Sequence, residues 1–135
     1  MQCNPKKILV LTVLAVWIAC FVKTETAVST EKPDFNVLIG EWVRPDGGYI
    51  VRVSVVNADE SVDAEYFIPS RINVGKASVS MWKGFKKLSI TLQDKGYPGS
   101  TYTLYYYTEK DALAGFYYQA KIGQTFEVVF IRKKN

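Results

Sequence analysis

Two neighbouring stretches decide the fold: Tyr49–Val56, YIVRVSVV, and Val62–Ile68, VDAEYFI. In the first, Tyr49, Val51, Val53 and Val55 alternate with Ile50, Arg52 and Ser54. In the second, Val62, Ala64, Tyr66 and Ile68 alternate with Asp63, Glu65 and Phe67. A period of two places one set on each face of a strand. Asn57-Ala58-Asp59-Glu60 between them is turn chemistry, so the pair reads as an antiparallel hairpin.

The same grammar continues in both directions. Upstream, Leu38–Val43 ends at Arg44-Pro45-Asp46-Gly47-Gly48, a strong turn signal. Downstream, Pro69-Ser70 breaks the third strand, and Ile72–Met81 forms a fourth whose apolar phase shifts near Gly75, as at a bulge. Lys83-Gly84-Phe85 turns into Leu88, Ile90 and Leu92. Gly96-Tyr97-Pro98-Gly99-Ser100 carries the Pro-Gly of a type II turn. Tyr102, Leu104 and Tyr106 lead a sixth strand, Leu113, Gly115 and Tyr117 a seventh, and Phe126, Val128, Phe130 and Arg132 share a face of the eighth. No stretch of the domain has helical periodicity. Asp59–Tyr66 and Lys110–Tyr117 look alike, each a polar turn followed by apolar, small and Tyr at alternate positions. Alternating hairpins resemble one another in general, which explains the likeness without a duplication.

Eight short strands with short connections make antiparallel neighbours. Each has one apolar face to hide, and the outermost two leave edges. An eight-stranded antiparallel up-and-down (meander) barrel satisfies both demands. A two-sheet sandwich is the alternative, disfavoured because no long crossover is present.

The barrel region spans residues 37–135. Before it, residues 1–22 carry Lys6 and Lys7 and then the uncharged run Ile8–Val22. A basic start and a compact apolar run are the pattern of a secretory signal. The run has 15 residues, and a spanning helix needs roughly 20. Export is therefore expected, to a periplasm or the outside. Three readings of the leader's end stand level. Ala27-Val28-Ser29 supplies small residues for cleavage, Trp17-Ile18-Ala19-Cys20 resembles a lipobox with Cys20 lipidated, or Cys20 is one more apolar leader residue. Residues 23–36, KTETAVSTEKPDFN, read as a polar tether.

Cys3 and Cys20 both lie in the leader, so no disulfide staples the domain and packing must hold it. The sequence contains no histidine. That removes the usual neutral-pH base, the common metal ligand and the Ser-His pair. Thiolate chemistry is absent from the domain as well. Gly47-Gly48 and Gly96–Gly99 are hairpin turns with no helix to follow, not phosphate cradles. Asp63 and Glu65 share a face, as a paired-acid hydrolase requires, although acids alternating on a strand usually face water. Ser78 or Ser80 with Lys76 is a weaker nucleophile pair. No calcium-loop pattern occurs, and neither a cofactor nor a metal is expected. Removing Lys6, Lys7, Lys23 and Glu25 from the net +4 leaves +2, with both signs interspersed. That is a solvated surface rather than a nucleic-acid footprint. Lys83, Lys86 and Lys87 form one local basic cluster, read as a solvated hairpin tip.

Gly40-Glu41-Trp42 opens the first strand with Gly-x-Trp. In this the chain resembles the calycins, the group of lipocalins, avidins and small bacterial inhibitor barrels. The resemblance implies a closed barrel in which a basic residue of the last strand packs over the first-strand Trp. Arg132 has the position and phase for that role, making Gly40, Trp42 and Arg132 a closure set. It also implies binding rather than catalysis. The tryptophans that wall a biotin pocket have no counterpart set, since only Trp42 and Trp82 lie in the domain.

Two binding modes follow. Inside, Trp42, Tyr49, Tyr66, Tyr102, Tyr106, Tyr117, Phe126 and Phe130 share the inward phase and form either a wall for a small apolar ligand or a filled core. Outside, Phe67, Tyr105, Tyr107, Phe116, Tyr118 and Ile131 share the outward phase and would present an aromatic face to a protein partner or a second copy. The alternative function is a barrel-type inhibitor of exported proteases, inserting the segment before Asn36 as an arm. Membrane contact is expected only through a lipid at Cys20.

Overall fold

The computed structural model describes residues 25–27 and 31–135. The leader, with Cys20 and the Val28-Ser29 part of the cleavage motif, lies outside the described residues. The fold occupies Lys32–Asn135. A short 3-10 turn, Asn36–Leu38, leads into nine strands: β1 Gly40–Val43, β2 Ile50–Val56, β3 Val62–Ile68, β4 Ser70–Ile72, β5 Val74–Trp82, β6 Phe85–Leu92, β7 Thr101–Tyr107, β8 Ala112–Gln119 and β9 Gln124–Arg132. All pairings are antiparallel, in the order β4-β3-β2-β1-β9-β8-β7-β6-β5. A Ser61↔Ser78 bridge and a bond from the Val79 amide to the Glu60 carbonyl (2.9 Å) join β3 to β5, so the meander nearly closes on itself.

The ninth strand corrects the expectation of eight. Ile72–Met81 is not one strand, because the chain changes partner at Asn73. Ser70–Ile72 pairs back on β3, whereas Val74–Trp82 pairs forward on β6. The register slips between Val74 and Lys76, placing the bulge at Gly75 as the apolar phase foretells. The turns follow their sequences. Lys83 (φ 46°) and Gly84 (φ 82°) both take positive φ, the type I′ pattern of two-residue hairpins. Gly99 (φ 79°) follows Pro98, and the Ser100 amide donates to the Tyr97 carbonyl at 3.1 Å, a type II turn.

One barrel end is sealed by the incoming chain. Phe35 and Leu38 are buried in the same cluster as Trp42. The fold thus begins before Val37: Phe35, within the segment read as tether, is a core residue. Lys32 is also held, its Nζ donating to the Ala58 carbonyl at 2.8 Å. Full burial of a Phe or Leu side chain contributes roughly 1.5–3 kcal/mol, so Phe35 and Leu38 anchor this segment onto the barrel.

Candidate functional site

Seven of the eight inward aromatic candidates meet inside. Trp42, Tyr66, Tyr102, Tyr106, Tyr117 and Phe130 are buried, and Tyr49 packs partly buried against them. Tyr102 is the hub. It stacks on Tyr117 (4.4 Å between centroids), tilts against Tyr66 (5.3 Å) and takes the edge of Phe130 (5.4 Å). Trp42 meets Tyr106 edge-on at 6.0 Å, and Tyr49 stacks on Tyr66 at 6.4 Å. Three of their hydroxyls have hydrogen-bond partners. The Tyr66 and Tyr102 hydroxyls lie 2.7 Å apart, Arg44 Nη1 donates to the Tyr102 hydroxyl at 3.4 Å, and the Tyr106 hydroxyl donates to Asp111 Oδ1 at 3.0 Å. Burial raises the Tyr66, Tyr102 and Tyr117 phenols above their ordinary range, so they stay neutral. Leu88, Ile90, Leu92, Leu104 and Leu113 occupy the rest of the interior, each at 0% exposure.

Phe126 corrects the inward set: it is 42% exposed. Its phase is inward, opposite Tyr117, but the wall beside it is missing. β1 meets β9 only at Trp42↔Arg132 and Val43↔Ile131. The Arg44–Gly48 turn then curls away, held by bonds from the Gly48 amide to the Arg44 carbonyl and from the Arg44 amide to the Tyr49 carbonyl. The first half of β9 therefore pairs as a strand only with β8, and Pro45 and Asp46 face Glu127–Val129 across a hollow.

The closure set is in place. The Arg132 guanidinium sits 4.2 Å from the Trp42 ring centroid. Its Nη1 and Nη2 donate to the Ile39 and Val37 carbonyls (2.8 and 2.6 Å), and its Nε donates to Asp111 Oδ2 (2.7 Å). A Cβ on Gly40 would lie 2.7 Å from Arg132 Nη1, and Gly40 has φ 140°, so both space and backbone suit glycine there.

Asp63 and Glu65 line one outer hollow together with Arg71 and Lys76. Glu65 is engaged by Arg52 (3.1 Å) and Arg71 (3.6 Å), while Asp63 is exposed on the same outer face. Ser78, Ser80 and Lys76 also share the outer phase of β5, facing Ser89, Lys87 and Thr91 of β6. Among the described residues no cluster of three His, Cys, Asp or Glu side chains could hold a metal.

The outer wall carries the more distinctive arrangement. Tyr107, Phe116, Tyr118 and Ile131 are exposed, Tyr105 is half-buried, and Phe67 lies half-buried under Arg52 (5.0 Å) in β3. Alternation also brings Val129, at 49% exposure, onto this face. The register aligns Tyr105, Ala114 and Val129 in one row across β7, β8 and β9. It aligns Tyr107, Ala112 and Ile131 in the next. The central strand is low because its outward residues there are alanines. The flanks stand higher, so a hollow of about 250 Å³ runs between Tyr105, Tyr107, Phe116 and Val129 with Ala114 and Gly115 as its floor. Val129 was readable from the Phe126–Phe130 alternation, whereas the depth of the groove depends on cross-strand register.

No protein-family model, curated protein or solved structure matches the chain.

Proposed function

We propose that this is a non-catalytic, calycin-like binding module of an exported protein, and that it engages a protein partner through the outer groove of β7, β8 and β9. One observation carries this reading: a groove floored by Ala114 and walled by Tyr105, Tyr107, Phe116 and Val129, with Glu127 the one charged residue of its lining, is left in water. Tyr107, Phe116, Val129 and Ile131 are each 42–49% exposed, and adjoining exposed apolar side chains on a small domain mark an interaction surface. Tyr-rich walls around a small-residue floor match the aromatic anchors that dominate protein interfaces. Packing favours the outer face over the interior as the binding site, since side chains with 0% exposure occupy the barrel from Trp42 to Leu113.

The test is site-specific photocrosslinking in the producing cell. A benzoylphenylalanine at Phe116 should yield a discrete protein adduct, and one at the exposed Ser54 of β2 should not. An adduct of twice the chain's mass would name a second copy as the partner. Absence of adducts from positions 107, 116 and 129 alike would overturn the reading.

A further inference from the structure

We propose that the tip of the β5–β6 hairpin, Met81–Lys87 (MWKGFKK), seats the domain on an anionic lipid surface. The two-residue Lys83–Gly84 loop makes Trp82 and Phe85 the terminal cross-strand pair, with Met81 opposite Lys86 beside it. Met81, Trp82 and Phe85 remain 43%, 44% and 39% exposed. Lys83, Lys86 and Lys87 stand among them, and Lys110 adjoins Gly84 and Phe85 across a shallow hollow shared with Tyr107. Glu109 is the one acid in that hollow. Among the described residues, none of these four lysines takes part in an ion pair.

Lys83 is an unusual choice for its place. A type I′ turn favours Asn, Asp or Gly there, because positive φ strains other residues. Here the strained residue is a lysine whose Nζ lies 4.4 Å from the Trp82 ring centroid. The turn thus keeps a cation beside an exposed indole.

The chemistry of the occupant follows from charge and shape. Indole and phenyl rings with lysines between them suit the headgroup boundary, where rings enter and ammonium groups stay at the phosphates. Unpaired lysines complement anionic headgroups. A protein interface core is depleted in lysine. Lipid is therefore favoured over an acidic protein. Trp82 packs on Tyr105 (5.4 Å between ring centroids) and Phe85 on Tyr107 (5.2 Å), so the tip adjoins the β7 wall of the groove, while its lysines lie outside the groove's lining.

The experiment reads where Trp82 sits. In the full chain carrying Trp17→Phe, fluorescence is measured on vesicles of dibrominated phosphatidylcholine with and without 30% phosphatidylglycerol. Trp42 is fully buried and contributes a constant background. Because quenching reports the depth of Trp82, attachment through another part of the chain does not mimic it. Quenching is expected on the anionic vesicles, at least fivefold weaker on phosphatidylcholine alone, and lost in Trp82→Phe. Lys83→Asn with Lys86→Gln and Lys87→Gln should reduce it at least fivefold, and Lys83→Asn suits the turn. Thermal unfolding confirms that this variant folds, and Lys83→Asn alone, expected to give a partial loss, repeats the test if it does not. Absence of quenching, equal quenching on both vesicles, or quenching unaffected by the lysine changes would each overturn the proposal.

Discussion

The guanidinium of Arg132 covers the indole of Trp42 at 4.2 Å while donating to the carbonyls of Val37 and Ile39. One side chain at the end of the last strand thus fastens the chain's entry, the first strand and, through Asp111, the β7–β8 connection. The Trp42 Nε1 completes the clasp by donating to the Leu38 carbonyl at 2.9 Å. Arg132→Ala should cost about 2–4 kcal/mol, from two carbonyls losing a charged donor and an indole losing its cation. Arg132→Lys should recover only part of this, because an ammonium cannot serve two carbonyls and a carboxylate in one plane. Urea denaturation of the three proteins checks the order. Equal stability of Ala and Lys variants would leave the fork geometry without a role.

Asp111 gives this clasp a pH dependence. Arg132 beside it, more than any other group, holds its carboxyl below the usual carboxylate range. A depressed folded pKa adds stability that is present above the unfolded value, near 3.9, and is lost as pH falls through the folded one. Asp111→Asn should therefore lower stability at pH 7 and flatten its decline below about pH 4. Asn also tolerates the left-handed backbone at this position, φ 44°. Melting temperatures at pH 7 and pH 3 provide the comparison, and parallel pH profiles would remove Asp111 from the acid response.

The Tyr66–Tyr102 hydroxyl pair should show itself at the opposite end of the scale. Burial, the leading cause, raises both phenols. Their contribution is intact below the unfolded pKa, about 10, and is lost as pH rises above it, when only the unfolded chain ionises. Tyr66→Phe should cost about 1 kcal/mol at pH 8 through the lost hydrogen bond. The difference from wild type should shrink by pH 11. A constant difference across that range would contradict the burial argument.

What the sequence disclosed here was local, and what it withheld was relational. Leu88, Ile90 and Leu92 announce a buried face through alternation alone, and Arg132 takes its phase from Phe130 in the same way. Phe126 has that phase too, yet is exposed, because its burial depends on how far β1 runs alongside β9. Asn73 is silent for a similar reason: a change of partner from β3 to β6 leaves no mark except the slip at Gly75. Phe35 was hidden by its polar neighbours, since a single apolar residue has no period. The outer aromatic face was visible as a phase, but its groove depends on Ala114 standing between Tyr105 and Val129.

Gly115 shows the same dependence on register and offers a sharp test of it. It lies between Leu104 of β7 and Val128 of β9 on the inward phase of β8. A Cβ there would run into the Thr103 carbonyl oxygen and lie 3.1 Å from the Leu104 Cα. These obstacles are backbone, which cannot swing aside as a side chain tip would. Gly115→Ala should therefore separate β7 from β8 and cost at least about 2–3 kcal/mol, in the range of core overpacking. Gly123→Ala is the control: its φ is 64°, but its Cβ would meet open space. It should cost only about 1–2 kcal/mol of backbone strain. Because Tyr102 and Tyr117 face each other across the same two strands, near-ultraviolet circular dichroism should change in Gly115→Ala and not in Gly123→Ala. If both variants lose the same stability and keep the same aromatic spectrum, β7 and β8 do not approach closely enough to demand glycine, and the packing of Tyr102 on Tyr117 needs another explanation.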